Sequence, residues 1–569
     1  MTPQPKSKPE EKGAIRKPQG SLLPIALVYP NTYSLGMANL GFQFLYGLLN
    51  GDPAFSAERF FFPGFPGDPH TTLNEPRSQE WDTPLSRFPL IAFSIPFEND
   101  YPAVPAMLSA AGIPPLQKDR GPHDPIVIAG GVSVTINPEP LSPFLDIVFM
   151  GEVQDEIGAE ERDFFSVIEQ LLGDSSQPVA DRGEFLAHFK DVPSVYVPSA
   201  YRFHFHDNGL IQTIEPQNGF PQRVRAAKRR SPSGTVPVSV LFSPDAEFGD
   251  SLLVETNRGC GRGCRFCAAG WIHFPVRHAP FERFRDQVEA AVRDGRNVGL
   301  IGSDLAGHSQ LEEILETIVD RGGKFSLSSI RPEGLTPRVI ELIAGTGQKT
   351  ATLAPEVASP RLKAVVGKEI PSERFYELVE QLVSAGIPNV RYYFMIGLPT
   401  ETDEDIEHIV DFVRQSRKIF VDASRLLGRI GRIGVQVNPF VPKPWTPFQW
   451  APMAGAKELE RRISILRKAL GKEPNVVLRI ESARHALYQS ILSRGDRRLA
   501  PVLLRVAEQQ GRWSGALKRE GVDPDFYARR ERDADETFPW DIVDHGVSKQ
   551  TLRQIYDKAL AKVHDMRDE

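Results

Sequence analysis

A chain of 569 residues exceeds what one hydrophobic core organises, and its 41% hydrophobic and 25% charged residues fit a soluble globular protein of several domains. The net charge of −6 gives no global attraction to nucleic acid, and no apolar run reaches the roughly 18 residues that a membrane span needs. All 3 cysteines lie between positions 260 and 267, which excludes a dispersed disulfide framework and makes the reducing cytoplasm the expected compartment.

Residues 1–20, MTPQPKSKPEEKGAIRKPQG, are rich in Pro, Lys and Glu and lack the apolar segment of a signal peptide, so a disordered tail is expected. Residues 21–170 alternate apolar runs (25–29, 90–94, 126–129, 146–150) with helical patterns at 39–49 and around 106–108. Continuous apolar strands separated by helices predict an α/β domain, a doubly wound, Rossmann-like sheet of flavodoxin type covered on both faces. Such a sheet binds ligands at the carboxyl ends of its strands, where Asn31, Ser94, Gly130, Gly131, Gly151 and Glu152 fall.

A helical pattern at 164–171 closes this domain, and residues 171–245 read as a connector. Residues 201–206 alternate like a strand and turn at 207–209, which predicts a hairpin with His204 and His206 on one polar face and no chemistry. The basic run Arg223, Arg225, Lys228, Arg229, Arg230 reads as a solvated linker before a phosphate contact.

The most informative stretch is 251–270, SLLVETNRGCGRGCRFCAAG. It carries Cys260, Cys264 and Cys267 in C-x3-C-x2-C spacing, with Phe266 before the last, in a loop punctuated by Gly259, Gly261 and Gly263. Three thiolates in one loop favour a soft metal. A four-iron cluster usually takes four cysteines, so three leave one iron open, the mark of a reactive site rather than a closed one. Zinc with His273 as fourth ligand is the alternative, but structural zinc usually shows a second, distant knuckle and none is present.

From 246 to 455 strand and helix signals alternate again. The runs lead in turn to Gly302-Ser303-Asp304, to Arg331, to Glu356 with Arg361 and Lys368 after it, and to Ile396-Gly397-Leu398 with Glu401 beyond. In parallel barrels the active residues sit at such strand ends. The stretch VNPFVPKPWTPFQW, with Phe440, Trp445, Phe448 and Trp450, suits neither a regular helix nor a central strand. Residues 456–569 are largely helical, with Arg484, His485, Arg494 and Arg497 read as a solvated face.

The cysteine motif followed by GSD, SSIRPE, APEVASPRLKAVVGK and YFMIGLPTETDEDI resembles the radical S-adenosylmethionine (SAM) superfamily. The resemblance implies a partial (β/α) barrel and a 4Fe-4S cluster on Cys260, Cys264 and Cys267, with SAM on the open iron. It implies that Phe266, Gly302, Ser303, Asp304, Arg331, Glu356, Arg361, Ile396, Gly397 and Leu398 contact SAM, and that a flavodoxin or ferredoxin supplies electrons. Upstream, FSIPFENDY, PIVIAGGVSVTINPEPL and DIVFMGEVQDEI resemble the cobalamin-binding domain that precedes many such barrels. That implies cobalamin at the six sheet-edge residues named above. The D-x-H-x-x-G cobalt-ligand motif has only a partial counterpart in Asp68-Pro69-His70, so no cobalt ligand is assigned, and a domain that has lost its cofactor is the alternative. The form RGC-x-x-GCRFC-x-AG and the late Phe538-Pro539-Trp540-Asp541 are similar to a group of uncharacterised cobalamin-domain radical SAM proteins, from near residue 20 to the end.

The activity so implied is cobalamin-dependent radical methylation. The alternatives are a rearrangement, ring closure, sulfur insertion or RNA modification with the first domain as scaffold, and, from another class, an iron–sulfur electron carrier or sensor. The three additional cysteines of the methylthiotransferases are absent. A small molecule or peptide is favoured over RNA as substrate, because local basic runs are confined to 223–230 and to Arg425, Arg429 and Arg432. The aromatic stretch 445–450 either stacks a base or packs the barrel.

Overall fold

The four apolar runs of residues 21–170 all become strands of a single 6-stranded sheet. The computed structural model describes residues 10–18, 22–65, 73–153, 159–172, 181–228, 236–328 and 330–565, which fall into two compact units. The first comprises Met1–Ser251, Leu492–Asp523 and Asp535–Gly546. Its sheet contains β1 (Leu23–Tyr29), β2 (Phe55–Phe61), β3 (Leu90–Ser94), β4 (Ile126–Gly130), β5 (Ile147–Phe149) and β6 (Val195–Tyr196), in the order β2-β1-β3-β4-β5-β6. All neighbours are parallel except β5 and β6. This is the flavodoxin-type doubly wound order, and its strand order reverses between β1 and β3, where ligands of such sheets bind. The helix Leu40–Gly51 after β1 starts at Asn39, whose side chain accepts a hydrogen bond from the Phe42 N–H.

Strand β2 escapes the apolar pattern because FSAERFF carries Glu58 and Arg59, both almost wholly buried. Arg59 is neutralised by Glu80 at 2.6 Å and Glu11 at 2.8 Å, and Ser78 donates to Glu58. Glu11 belongs to the segment expected to be a disordered tail. Residues 10–18 are instead strapped to this unit: Lys12 bridges Phe242, and the Ile15 N–H donates to the Tyr46 hydroxyl at 2.8 Å. The rest of the tail, Asp68 to His70, and Arg229 and Arg230 lie outside the described residues.

The expected hairpin is present as β7 (Tyr201–Phe205) and β8 (Ile211–Pro216), with His204 facing Glu215 at the surface. The other faces of the strand are covered by Arg497 and Arg498, stacked 4.0 Å from the ring centres of Phe203 and Phe205. Arg497 therefore does not belong to a solvated face. It is half-buried and bonded to Glu139 at 2.7 Å, and Arg494 is fully buried. Strand β9 (Val224–Arg225) pairs in parallel with Val543–Asp544.

The second unit comprises Leu252–Ile491, Pro524–Ala534 and Val547–Glu569. One sheet has the order β11-β10-β12-β13, from β10 (Leu252–Arg258), β11 (Arg277–His278), β12 (Val298–Gly302) and β13 (Phe325–Leu327). The other is wholly parallel, β14 (Thr350–Glu356), β15 (Asn389–Ile396), β16 (Ile433–Pro439) and β17 (Val476–Ile480). Apart from the antiparallel β11, the strands run in chain order with helices between them, which is a partial (β/α) barrel. Strand β17 lies in the stretch read as helical, so the barrel unit extends beyond residue 455; the remainder of 456–569 is mainly helical and divides between the units. Trp445, Phe448 and Trp450 are buried, the last two against Tyr556 of the helix Lys549–Asp565. The aromatic stretch packs the barrel unit. Among the described residues no helix is long and apolar enough to cross a membrane.

Candidate active site

Strand β10 delivers the cysteines to the carboxyl edge of the barrel, as the sequence predicts. The loop is built tightly: Gly259 has φ +82 and a side chain there would strike the His273 carbonyl. Asn257, near the end of β10, donates to the Gly259 carbonyl at 3.1 Å and accepts from the Asp304 N–H at 3.3 Å. It thereby ties the cysteine loop to the loop after β12. Arg265 anchors the other side, its guanidinium donating to the Ala364 carbonyl and, at 2.8 Å, to that of Val365, while its N–H donates to Val366 at 2.9 Å.

The three thiols face one another closely enough to interact electrostatically, and each has its own donor. Cys260 takes a hydrogen bond from the Arg262 N–H and Cys267 takes bonds from the N–H groups of Ala269 and Gly270. The Arg331 guanidinium lies 3.8 Å from the Cys264 sulfur. Burial pushes the Cys260 and Cys267 thiols above their ordinary value, the neighbouring thiols add to this, and those N–H groups oppose it. A donor at each sulfur is what three thiolates on an iron–sulfur cluster require. Among the described residues no three Cys, His, Asp or Glu side chains form a cage for a single ion, with or without His273.

Around this loop Asp304 is buried, with one carboxylate oxygen 3.4 Å from Arg262 and the other, Oδ1, buried without a hydrogen-bond partner. Ser303 is exposed beside it and Gly302 packs on Asn257. His278 and His308, which sequence reasoning passed over, stack edge to face with ring centres 5.2 Å apart, and His278 interacts with Asp304. The signal for His278 was weak, since β11 is only two residues long.

Glu356 ends β14 at φ +68, a conformation that non-glycine residues avoid, and pairs with Lys368 at 3.1 Å. Arg361 is elsewhere engaged: it donates to Thr400 Oγ1 at 3.1 Å, to the Thr400 carbonyl at 3.0 Å, and to Asp405. Asp405 also closes the capping box of the helix Asp403–Leu426. The turn of Ile396, Gly397 and Leu398 is buried and held by Glu401, which accepts the Gly397 N–H at 2.5 Å and meets Arg462 at 2.8 Å. Burial pushes the Glu401 carboxyl up to about 8 despite that arginine. Phe266 lies within the cysteine loop, half-buried.

The first unit presents a different edge. Asn31, after β1, donates to Asp100, after β3, at 2.7 Å, so the two loops flanking the switch point are joined. Asp100 Oδ2 is buried without a hydrogen-bond partner, and burial raises this carboxyl to about 6. Ser94 is half-buried, and a side chain on Gly130 would meet nothing closer than 3.8 Å. Gly131 and Gly151 are not open to a ligand in that way. At φ +107, a Gly131 side chain would lie 2.6 Å from the Ile95 carbonyl, and at φ +111 a Gly151 side chain would lie 2.5 Å from the Ala227 nitrogen. Glu152 is buried behind Ala227, bonded through its N–H at 3.0 Å. The edge exposes large apolar side chains, Leu35 and Phe97 at 43% and Val132 at 37%, in the segments after β1, β3 and β4.

Residues 254–413 match the radical SAM superfamily model, and residues 41–198 match the model for the N-terminal region of radical SAM proteins. The chain belongs to the radical SAM superfamily. It is similar to an uncharacterised protein of Methanocaldococcus jannaschii, 26% identical over 84% of this chain and 90% of that one. The ribosomal protein uS12 methylthiotransferase RimO of Thermodesulfovibrio yellowstonii is 26% identical over 31% of this chain, and that match spans 45% of RimO. Among solved structures, the radical SAM methyltransferase TsrM of Kitasatospora setae, with cobalamin and a [4Fe-4S] cluster bound, aligns at a TM-score of 0.49 and 11% identity, covering 88% of this chain and 99% of TsrM. The cobalamin-dependent SAM radical enzyme OxsB aligns at 0.48 and 14% identity, covering 96% and 80%.

Proposed function

We propose that the chain is an enzyme that cleaves SAM reductively and, with cobalamin on its first unit, methylates a small-molecule or peptide substrate. The observation that carries the reading is the set of three facing thiols, each with an N–H donor, at the carboxyl edge of the barrel. When bound, a 4Fe-4S cluster fed by a flavodoxin or ferredoxin supplies the electron that splits the sulfonium of SAM, and cobalamin supplies the methyl carrier. The protein's part is to hold and orient. Cys260, Cys264 and Cys267 hold the cluster. Asp304, with a buried carboxylate oxygen unspent, suits the ammonium of SAM. The Ile396-to-Leu398 turn, stiffened by Glu401, backs the adenine.

Leu35, Phe97 and Val132 suit the apolar face of a macrocycle, and Gly130 permits close approach. The residues that would hold cobalamin therefore lie around β1, β3 and β4, with Asn31 and Ser94 among them, and Gly131, Gly151 and Glu152 support the loops behind. Two observations favour a small molecule or peptide over RNA. Arg223 and Lys228 of the basic run bond the carbonyls of Asp541, Val543 and His545, and the Trp445-to-Trp450 aromatics are buried.

The test is anaerobic reconstitution followed by three readings: iron content, production of 5′-deoxyadenosine from SAM, and difference absorbance with hydroxocobalamin under reducing conditions. About four irons per chain, SAM turnover and corrinoid binding are expected. Zinc without iron overturns the whole assignment. SAM turnover without corrinoid binding removes methylation and leaves the first unit as scaffold.

A further inference from the structure

The inner face of the parallel barrel sheet carries two arginines that the protein itself does not use. On β15, Val390, Tyr392 and Phe394 are at most 1% exposed, and the two rings pack on Phe412 of the helix Asp403–Leu426. On β16, Val435 and Val437 are equally buried. The alternate residues share the opposite face and are all at least partly open: Arg391, Tyr393 and Met395 on β15, Gln436 and Asn438 on β16. The register brings Arg479 of β17 onto the same face, opposite Gln436, which itself stands opposite Tyr393.

Arg391 and Arg479 are exposed, and among the described residues neither makes a hydrogen bond or an ion pair. The barrel strands hold two carboxylates that could answer them, and both are engaged. Glu255 takes two bonds of 2.7 Å from Arg258, and Glu356 takes Lys368 at 3.1 Å. The face is therefore positive without compensation. Its other polar groups are donors to spare: Gln436 Nε2 donates to Asn438 Oδ1 at 3.0 Å, which leaves the Asn438 amide N–H groups to give. Arg391 leans over Gly434, where a side chain would come 3.6 Å from its Cγ. The Cα atoms of the two arginines stand two strands and two residues apart, roughly 12 Å, so two long side chains can meet on one group.

We propose that the substrate is a small acid whose carboxylate or phosphate is bound by Arg391 and Arg479 on the inner face of the barrel. This inference rests on the SAM-cleaving reading and names a substrate class for it. A guanidinium fork matches the oxygens of either anion, and two of them with no competing carboxylate select for charge. Arg391 lies five residues before Ile396, about 16 Å along the strand from the carboxyl edge. The acid group is thus held deep, and the rest of the molecule extends over Tyr393 and Met395 toward the edge that carries the cysteines.

The experiment measures binding of benzoate, phenyl phosphate and benzamide to the anaerobically reconstituted full chain, with SAM present, by equilibrium dialysis. At least one of the acids should bind about fivefold or more tightly than benzamide, which has the same ring without the charge. Arg391→Gln and Arg479→Gln should each reduce that preference, and the double variant should abolish it, with iron content and melting temperature unchanged. The acid that binds more tightly identifies the anion. Benzamide binding as tightly as both acids, no binding of either acid up to about 10 mM, or a preference that survives the double variant overturns the proposal. So does bulk transfer RNA that binds with a steep salt dependence and is lost in the double variant, because the anion is then a nucleic-acid backbone. If Arg391→Gln loses iron, Arg479→Gln alone reads the same contrast. If the wild type fails to cleave SAM, the SAM-cleaving reading falls, and the acid-to-amide contrast measured without SAM still decides the role of the arginines.

Discussion

Each unit ends parallel strands in glycine-bearing loops, and in each most of those glycines answer to the protein's own chain. Gly131 and Gly151 make room for the backbone of Ile95 and Ala227 in the first unit, just as Gly259 and Gly302 make room for His273 and Asn257 in the second. The two edges differ in what stands among the glycines. In the barrel it is three thiols with a donor apiece and a carboxylate oxygen without one. In the first sheet it is an exposed apolar rim of Leu35, Phe97 and Val132 over a joined Asn31–Asp100 pair. A glycine at a strand end thus reports a close backbone approach, and the ligand is told by the side chains left exposed or unsatisfied.

The comparison breaks most sharply at the cysteines. Replacing Cys260, Cys264 or Cys267 by Ala should abolish both the 400 nm absorption and SAM cleavage, while the first unit keeps whatever corrinoid it binds. The next largest effect separates glycine from rim. Gly131→Val and Gly151→Val put a branched side chain at positive φ against backbone, and should cost about 2–4 kcal/mol, read by chemical denaturation whether or not cobalamin is present. Phe97→Ala should change stability by less than about 0.5 kcal/mol and weaken hydroxocobalamin binding. Full stability of Gly131→Val with loss of corrinoid would restore a ligand-facing role to that glycine.

Much of the fold was legible because the core strands are continuous apolar runs, which need a sheet covered on both faces. Strand β2 was not legible: Glu58 and Arg59 break its pattern, and their partners Ser78, Glu80 and Glu11 lie far along the chain. The same pairing hid the ordered segment 10–18 behind a composition typical of disorder. Strand β17, VVLRI, was lost among helical neighbours because five residues carry too little periodicity. At the site, the cysteine spacing was unambiguous, whereas spacing alone did not show that Arg361, which follows Glu356, is already engaged by the start of the helix Asp403–Leu426.

Asp100 gives the comparison a pH dependence. Its folded value, about 6, stands above the ordinary 3.8 because burial disfavours the charge, with Asn31 opposing. The folded state therefore holds the proton more tightly than the unfolded one. The contribution is full below about pH 4 and is lost as pH rises toward about 6, at most on the order of 3 kcal/mol for a shift of this size. Asp100→Asn, which keeps the bulk without the charge, should flatten the dependence of melting temperature on pH between 4 and 7 and raise it at pH 7. An unchanged profile would mean that this edge is wetter than the buried, unpaired oxygen implies.

The smallest effect expected is on the cluster. Arg331 was read from sequence as a SAM contact, yet its guanidinium lies 3.8 Å from the Cys264 sulfur and is steadied by Glu333 at 3.1 Å. A cation donating to a cluster thiolate withdraws charge from the metal and makes reduction easier. Arg331→Met should therefore leave four irons in place, shift the midpoint potential to a more negative value, and change SAM affinity by less than about threefold. Glu333→Gln, which only loosens the arginine, should move the potential in the same direction and by less. A potential that stays put in Arg331→Met while SAM affinity collapses would return Arg331 to the ligand and leave the Cys264 sulfur without a tuning partner in this chain.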